Sequence, residues 1–453
     1  MQTTGNRLER KIGLAGAVFL LVGNIVGASI FILPGQLAGI AGPAVFIAYL
    51  IASIPAIVNC LIAAQVGSIL PVSAADYVFT SVVLHPFLGF LKVWAGMIGM
   101  LVGVPILAFG FADYMAFFLP NVERLTIAVS MLLGLLLINL AGLKTSVRTQ
   151  IVMVCVFISS LLIFGVGGLF YADWSLLTPM VPNGWDSVMS AAVPAFYSYS
   201  GFLTIVVMGE EIKNPARNIP LTLAITFGVV AIIYTLITLV LPALIPWQQL
   251  GTIVAPMGKA SQTFLPDWFA ALITVSALLA AATSVNVAIL TASRSFFALA
   301  RNKIYPEILA RISTRSREPG VAIALAVLFA LAGVAVQGDI IQYASVTVIG
   351  AMLYGIIWSI ALIRLPRALP EHYAKAKFQL KIRSIWIIAT IKISISLAFL
   401  YVGIRNNLGP AMIYFGLLGL GAVYYVMRKK YLDSRGVSLQ DLLRREANQV
   451  LSG

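Results

Sequence analysis

The feature that most constrains this chain is repetition of one motif. Stretch after stretch runs apolar for about 20 residues, the length of helix that crosses ~30 Å of hydrocarbon. Such stretches fall at 13–39, 43–70, 86–119, 124–142, 149–171, 188–212, 219–242, 268–300, 320–336, 340–363, 384–404 and 409–428. A water-soluble domain needs a charged surface, about a quarter of its residues. Here charged residues make up 10% and the mean hydropathy is +0.98. The reading is therefore an all-α integral membrane protein of twelve transmembrane helices.

The net charge of +14 is organised rather than diffuse. With the N-terminus placed in the cytoplasm, Arg7, Arg10, Lys11, Lys144, Arg148, Lys213 and Arg217 fall on the cytoplasmic side. So do the basic clusters between Arg294 and Arg317, between Arg364 and Arg383, and between Arg428 and Arg445. Arg124, Lys259 and Arg405 alone face the other way, and Lys392 stands inside a span. This is the positive-inside pattern of a multi-pass plasma (inner) membrane protein with both termini cytoplasmic. The basic excess belongs with anionic lipid, and no nucleic-acid partner is expected. A cleaved leader at the first apolar stretch is the competing reading, disfavoured because no small-residue cleavage site precedes a soluble domain.

Catalytic and metal patterns are missing from the sequence. Cys60 and Cys155 sit in apolar runs, and His85 and His372 stand apart, so no metal site or cofactor is expected. Neither a nucleophile elbow nor a phosphate-binding glycine loop occurs. The chain is read as no enzyme.

Two spans cannot run as continuous helices. The first carries Val26-Gly27-Ala28-Ser29 with Pro34 downstream; the sixth carries Pro194 and the run Phe196-Tyr197-Ser198-Tyr199-Ser200-Gly201-Phe202. Unwound backbone survives within a membrane where it lines a polar cavity. The two breaks hold matching places in two halves of five spans, the sequence mark of a transporter site near the midplane. A half-helix N-terminus offers N–H groups and a positive dipole end to a carboxylate; unwound carbonyls accept from an ammonium. Together they suit a zwitterion. A small-residue packing seam is the alternative reading of either break taken singly.

At these residues the chain resembles the amino acid–polyamine–organocation (APC) superfamily of permeases, over about Leu8 to Met427. Gly27-Ala28-Ser29-Ile30-Phe31 is similar to the family's Gly-Ser-Gly-Ile-Phe. Gly209 to Pro220 is similar to its Glu-Glu-x-Lys-Asn-Pro-x-Arg-x-Ile-Pro. Ser293-Arg294, Ala300-Arg301 and Pro306 match its Ser-Arg, Ala-Arg, Pro series, and Asn139, Gly142 and Lys144 add weaker support. The resemblance implies an inverted five-plus-five repeat with broken helices 1 and 6 plus two peripheral helices. It divides the chain into a cytoplasmic N-terminus (1–12), a ten-helix transport core (13–363), a basic linker (364–383), peripheral helices (384–428) and a cytoplasmic tail (429–453). It also implies secondary transport by alternating access, of an amino acid or amine, as symporter or exchanger. The substrate-binding set is then Gly27, Ala28 and Ser29 for the carboxylate, with Phe196, Tyr197, Ser200, Gly201 and Phe202 around the amine. Tyr197 falls at the outer gate.

Departures bear on selectivity. Ser29 replaces a family glycine. Leu203 stands where some members carry an acid, and Phe157 near where others carry a lysine. A neutral amino acid is the expected substrate; a polyamine or cationic amino acid, carried by the same fold, is the alternative. A channel or an intramembrane enzyme is the different-class alternative, without a repeated acidic ring or a convergent catalytic set to support it.

Other polar residues leave their roles open. Glu210 and Glu211, with Lys213, Arg217 and Arg294, form either an interfacial ion-pair network or an inner gate. Thr283 and Ser284 either join backbone oxygen near Gly23 and Val26 as an all-oxygen sodium site or bond back to their own helix. Coupling to Na+ or to H+ stays open. Lys392 is expected to snorkel to the cytoplasmic edge. The segment Ala243–Asp267 is read as either a folded outer lid or a passive surface loop.

Overall fold

A computed structural model describes residues 12–69, 75–142, 147–207, 209, 212–313 and 318–438. Among these the chain is helical throughout, and Ile12 and Ile212 form one isolated parallel bridge. Apolar sequence without a polar stripe leaves the backbone no partner but itself, and the α-helix closes every internal N–H and C=O.

The first span is split into α1 (Leu14–Ile25) and α2 (Ser29–Ala41). Gly42, at φ 67°, ends α2, and Pro43 starts the short turn into α3 (Val45–Ile69). A short helix, α4 (Ala75–Val83), precedes α5 (Pro86–Met115), whose first turn is set by Pro86 and capped by His85, whose Nδ1 accepts from the Phe87 N–H. Then follow α6 (Arg124–Leu140), α7 (Val147–Tyr171) and α8 (Gly184–Ala195). Beyond α8 come a 3₁₀ turn at Phe196–Tyr199 and the single turn α9 (Thr204–Val207). The second half holds α10 (Pro215–Leu244), the outer helices α11 (Trp247–Leu250) and α12 (Pro256–Ser261), and α13 (Asp267–Arg301). It closes with α14 (Gly320–Ala335), α15 (Ile340–Ala368), α16 (Pro370–Lys375), α17 (Ile382–Asn406) and α18 (Leu408–Asp433).

Nine helical runs among the described residues are long and apolar enough to cross a membrane; α1, α6 and α14 are apolar but shorter. Large apolar side chains such as Phe170, Ile232, Leu328, Ile387 and Leu420 point outward, as lipid-facing residues do. α1 and α2 run through the middle, against α10, α7, α13 and α8, and a frame of α3, α5, α10, α13 and α15 surrounds them.

The segment after α10 is a packed cap. Gly39 and Gly251 meet backbone to backbone, and a Cβ on Gly35 would come 2.6 Å from Pro256 Cγ. α11 and α12 therefore lie directly on α2, which favours the folded lid over the passive loop. Lys392 departs from the sequence expectation. It does not snorkel: its side chain is fully buried, with Nζ 3.9 Å from Met352 Sδ. Its helix is covered by α15, α8 and α3, which close the route to the interface.

Candidate functional site

The two breaks lie where small residues and a proline weaken the helix, and the fold brings them together. α1 ends at Ile25. Val26 turns out of the helix at φ −76°, ψ 64°, the Gly27 N–H folds back to Ile25 O (2.8 Å), and α2 restarts at Ser29. Pro34, by contrast, is accommodated inside α2. At the start of α2 the Phe31 N–H donates to Ala28 O (3.0 Å), while the N–H groups of Ser29 and Ile30, at the break, have no carbonyl one turn back within the helix. In the sixth span the 3₁₀ turn passes into Ser200–Leu203, where Gly201 takes φ 111°, a region an L side chain rarely enters.

Two side chains join the breaks. Asn24 Nδ2 donates to Thr204 Oγ1 (2.8 Å) and Gly201 O (3.3 Å). From α10, the Tyr234 hydroxyl lies 2.9 Å from both Ile25 O and Ser198 O, one carbonyl from each break. Around it, Tyr49 and Tyr199 stack edgewise, and Tyr49 and Ser198 share a hydroxyl contact of 3.2 Å. Neither Asn24 nor Tyr234 was among the residues expected from sequence. The available signal was a lone amide in an apolar run and a tyrosine mid-span, both polar groups that a membrane interior obliges to find partners.

Gly27, Ala28 and Ser29 do sit together at the first break, with Ala28 and Ser29 buried. Phe196 and Phe202 are buried at the second; Tyr197, Ser200 and Gly201 are half-buried. The Tyr197 hydroxyl donates to Gly103 O on α5 (2.9 Å), so the ring bridges the sixth span to the frame. Gly23 and Val26 are buried in α1 and at its end. Ser284 on α13 packs on Gly27 so closely that a Cβ there would collide with its Oγ, and that Oγ is buried without a partner. Thr283 instead donates to Leu279 O (2.8 Å) on its own helix. Phe157 and Leu203 lie on α7 and beside α9, the first buried.

Of the inner-gate residues, Glu210 and Glu211 lie outside the described residues. Lys213 and Arg217 are exposed at the start of α10, and Arg294 is exposed on α13. The Lys213 N–H donates to Ile12 O (2.8 Å), tying the start of the first span to the end of the sixth. One cavity of about 450 Å³ lies beside the cap, between Ser175, Thr178, Pro182 and Trp247; another, of about 480 Å³, lies at Arg217, Pro220, Lys377 and Phe378. Both are at the ends of the spans, away from the breaks.

Residues 12–423 match the family model of amino acid permeases. The chain belongs to the amino acid permease family. Within that family it is similar to the branched-chain amino acid permease BcaP of Bacillus subtilis, 27% identical over 391 residues that cover 82% of this chain and 84% of BcaP. It is likewise similar to the methylthioribose transporter of the same organism, 27% identical over 88% of this chain and 90% of that protein. The vacuolar cationic amino acid transporter 4 of Arabidopsis thaliana is 26% identical over 77% of this chain and 62% of its own length. All three of these relatives are permeases or transporters by name. For this permease, family membership agrees with the resemblance carried by Gly27–Phe31 and Gly209–Pro220.

Proposed function

We propose that this permease is a secondary transporter of neutral amino acids, working by alternating access in the plasma (inner) membrane with both termini cytoplasmic. One observation carries the reading: the breaks of the first and sixth spans stand side by side, linked by Asn24 and by Tyr234. Their ends have opposite chemistry. The N-terminus of α2, with Gly27, Ala28 and Ser29, suits a carboxylate. The carbonyls of Ile25 and Ser198 and the backbone around Phe196, Tyr197, Ser200, Gly201 and Phe202 suit an ammonium.

The same reading takes the chain as twelve spans in an inverted five-plus-five arrangement. The run Ser29–Ile69 divides at Gly42, α1 completes the first span, and α6 and α14 supply the two short ones. Paired contacts support a two-fold repeat: α3 lies on α10, α5 on α13 and α6 on α14, while α5 on α15 is matched by α13 on α7. Tyr197, bonded to Gly103 of the frame, would close the outer path, a role its bond to α5 supports. Ile12, which pairs with Ile212 and accepts from the Lys213 N–H, would close the inner one together with the expected inner-gate residues.

Saturable uptake and counterflow of labelled leucine or alanine in proteoliposomes is the test. Non-saturable flux without counterflow would indicate a channel, and consumption of the solute an enzyme. Preferential counterflow of putrescine or arginine would move the assignment to cationic substrates.

A further inference from the structure

α17 is fastened along one face of α8. At the outer end Arg405 Nη2 meets Asp186 Oδ2 at 2.5 Å, and Asn406 Nδ2 donates to Ser190 Oγ at 2.8 Å. Further in, Gly403 packs on Val193, and Phe399 meets Phe196 edge to face at 6.3 Å. Asp186, Ser190, Val193 and Phe196 follow one another at helical spacing, so a single stripe of the half-helix is held. The stripe ends at the break itself, because Phe196 opens the 3₁₀ turn.

Lys392 is the inner terminus of that contact. Its Nζ lies 5.5 Å from the centre of the Phe196 ring and 3.9 Å from Met352 Sδ, with no exposure. Gly355 makes the room: a Cβ there would come 2.7 Å from Lys392 Cε. The Ser396 hydroxyl, one turn along α17, is buried with no hydrogen-bond partner. The elements packed on α17 bring few charges. Asp186 on α8 is paired with Arg405, about 20 Å along the helix from Lys392 at 1.5 Å per residue. Asp339 caps the start of α15 and Asp433 ends α18. Tyr49 and Cys60 on α3, and Tyr343, Tyr354, Arg364 and Arg367 on α15, are the remaining titratable groups of α3, α8 and α15; α18 adds Tyr414, Tyr424, Tyr425, Arg428, Lys429, Lys430 and Tyr431. Lys92, across α15, lies over the Trp358 ring. No carboxylate among the described residues of these elements faces Nζ.

We infer that Lys392 is the proton-binding group of this permease, protonated from outer water when movement of the α8 half-helix lifts Phe196 and deprotonated to inner water as the half-helix returns and Phe196 covers it again. The step is R–NH2 + H3O+ → R–NH3+ + H2O; one N–H bond forms as one O–H bond of the hydronium breaks, and the reverse step returns the proton to water. An ammonium held against a ring and a thioether is poorly compensated, and hydration stabilises it. Any movement of the break that lifts Phe196 wets Nζ, so proton occupancy and the position of the sixth span are linked reciprocally. This inference rests on the transporter reading above and names its driving ion.

The test uses full-length protein in proteoliposomes with a luminal pH dye and leucine and alanine as probes. Adding probe should acidify the lumen for the wild type. Lys392→Met should abolish that proton entry while the purified variant is still thermally stabilised by the probe. Wild-type uptake should change by up to about tenfold per pH unit, the slope for one linked proton, and binding by Lys392→Met should be flat with pH. If Lys392→Met does not fold, Gly355→Ala carries the test, because its methyl displaces the lysine without removing it and should shift the pH midpoint. Acidification by Lys392→Met equal to wild type, or an unmoved midpoint in Gly355→Ala, overturns the inference. Saturable wild-type uptake without proton entry overturns it too, and leaves the transporter reading standing; absence of uptake of either probe overturns both.

Discussion

Asn24 on α1 and Thr204 on α9 share a hydrogen bond of 2.8 Å between residues 180 apart in sequence. The bond spans the two broken helices at the level of Gly201, whose carbonyl takes the second amide proton. Under the proposed function the two half-helices move in register, and this amide links them directly.

Removing that link should loosen the site without unfolding the protein. A net hydrogen bond contributes about 1 kcal/mol, and a stranded buried partner costs about 1–3 kcal/mol. Asn24→Ala is expected to weaken apparent substrate affinity about tenfold. Thr204→Val should do the same, and the double variant should be no worse than Asn24→Ala alone. A double-mutant cycle on thermal-shift affinities checks this; additive losses would show that the bond does not couple the two residues.

Gly27 and Ser284 are in such close contact that one methyl group cannot fit between them. Gly27→Ala should therefore lose most uptake, and Gly27→Leu and Ser29→Trp all of it, with membrane insertion intact. Space, rather than glycine flexibility, is the cause, so Gly27→Ala combined with Ser284→Gly should recover a substantial part. Uptake and surface expression of the four variants decide; near-normal transport by Gly27→Leu would remove this break from the site.

Much of this arrangement was legible beforehand, for physical reasons. Apolar length marks spans because a bilayer sets one thickness, and Gly27–Ser29 and Ser198–Gly201 mark breaks because small residues cannot shield a helix backbone. What joins the breaks was not legible. Asn24 and Tyr234 act across 177 and 209 residues of sequence respectively, and no local pattern encodes such a pairing. Lys392 was misread for a related reason: snorkelling is the default for a lysine near a span end, and α15 covering it at Gly355 is a tertiary fact.

Tyr197 and Gly103 predict a gate phenotype. The ring crosses from the sixth span to α5, and a Cβ on Gly103 would come 2.8 Å from it. Tyr197→Phe removes the bond and keeps the ring, so it should speed counterflow with little change in affinity. Tyr197→Ala removes apolar cover at ~25 cal/mol per Å² and should weaken retention of bound substrate. Gly103→Ala should displace the ring and resemble Tyr197→Ala. Dissociation rates of labelled leucine test all three, and wild-type rates in Tyr197→Ala would remove the residue from the gate.

Selectivity follows from the charges that are missing around the breaks. Leu203 stands beside α9 and Phe157 is buried on α7, so neither position offers a counter-ion. Under the proposed function a neutral amino acid would turn its carboxylate to the N-terminus of α2 and its ammonium to the carbonyls of the breaks, and would leave no charge unmatched. Arginine or putrescine brings a further cation into the same space, and burying an unpaired charge is costly. A hundredfold preference requires about 2.8 kcal/mol, well within that cost. Thr283 donates its hydroxyl proton to Leu279 O, a bond back to its own helix, and the inferred driving ion is a proton. Uptake of labelled leucine should therefore be competed by alanine, resisted by arginine and putrescine, and unchanged when choline replaces sodium. Leu203→Glu should narrow the gap by supplying the absent acid. Strong competition by putrescine but not alanine would overturn the selectivity, and collapse of uptake in choline would return Thr283 and Ser284 to the role of an ion site.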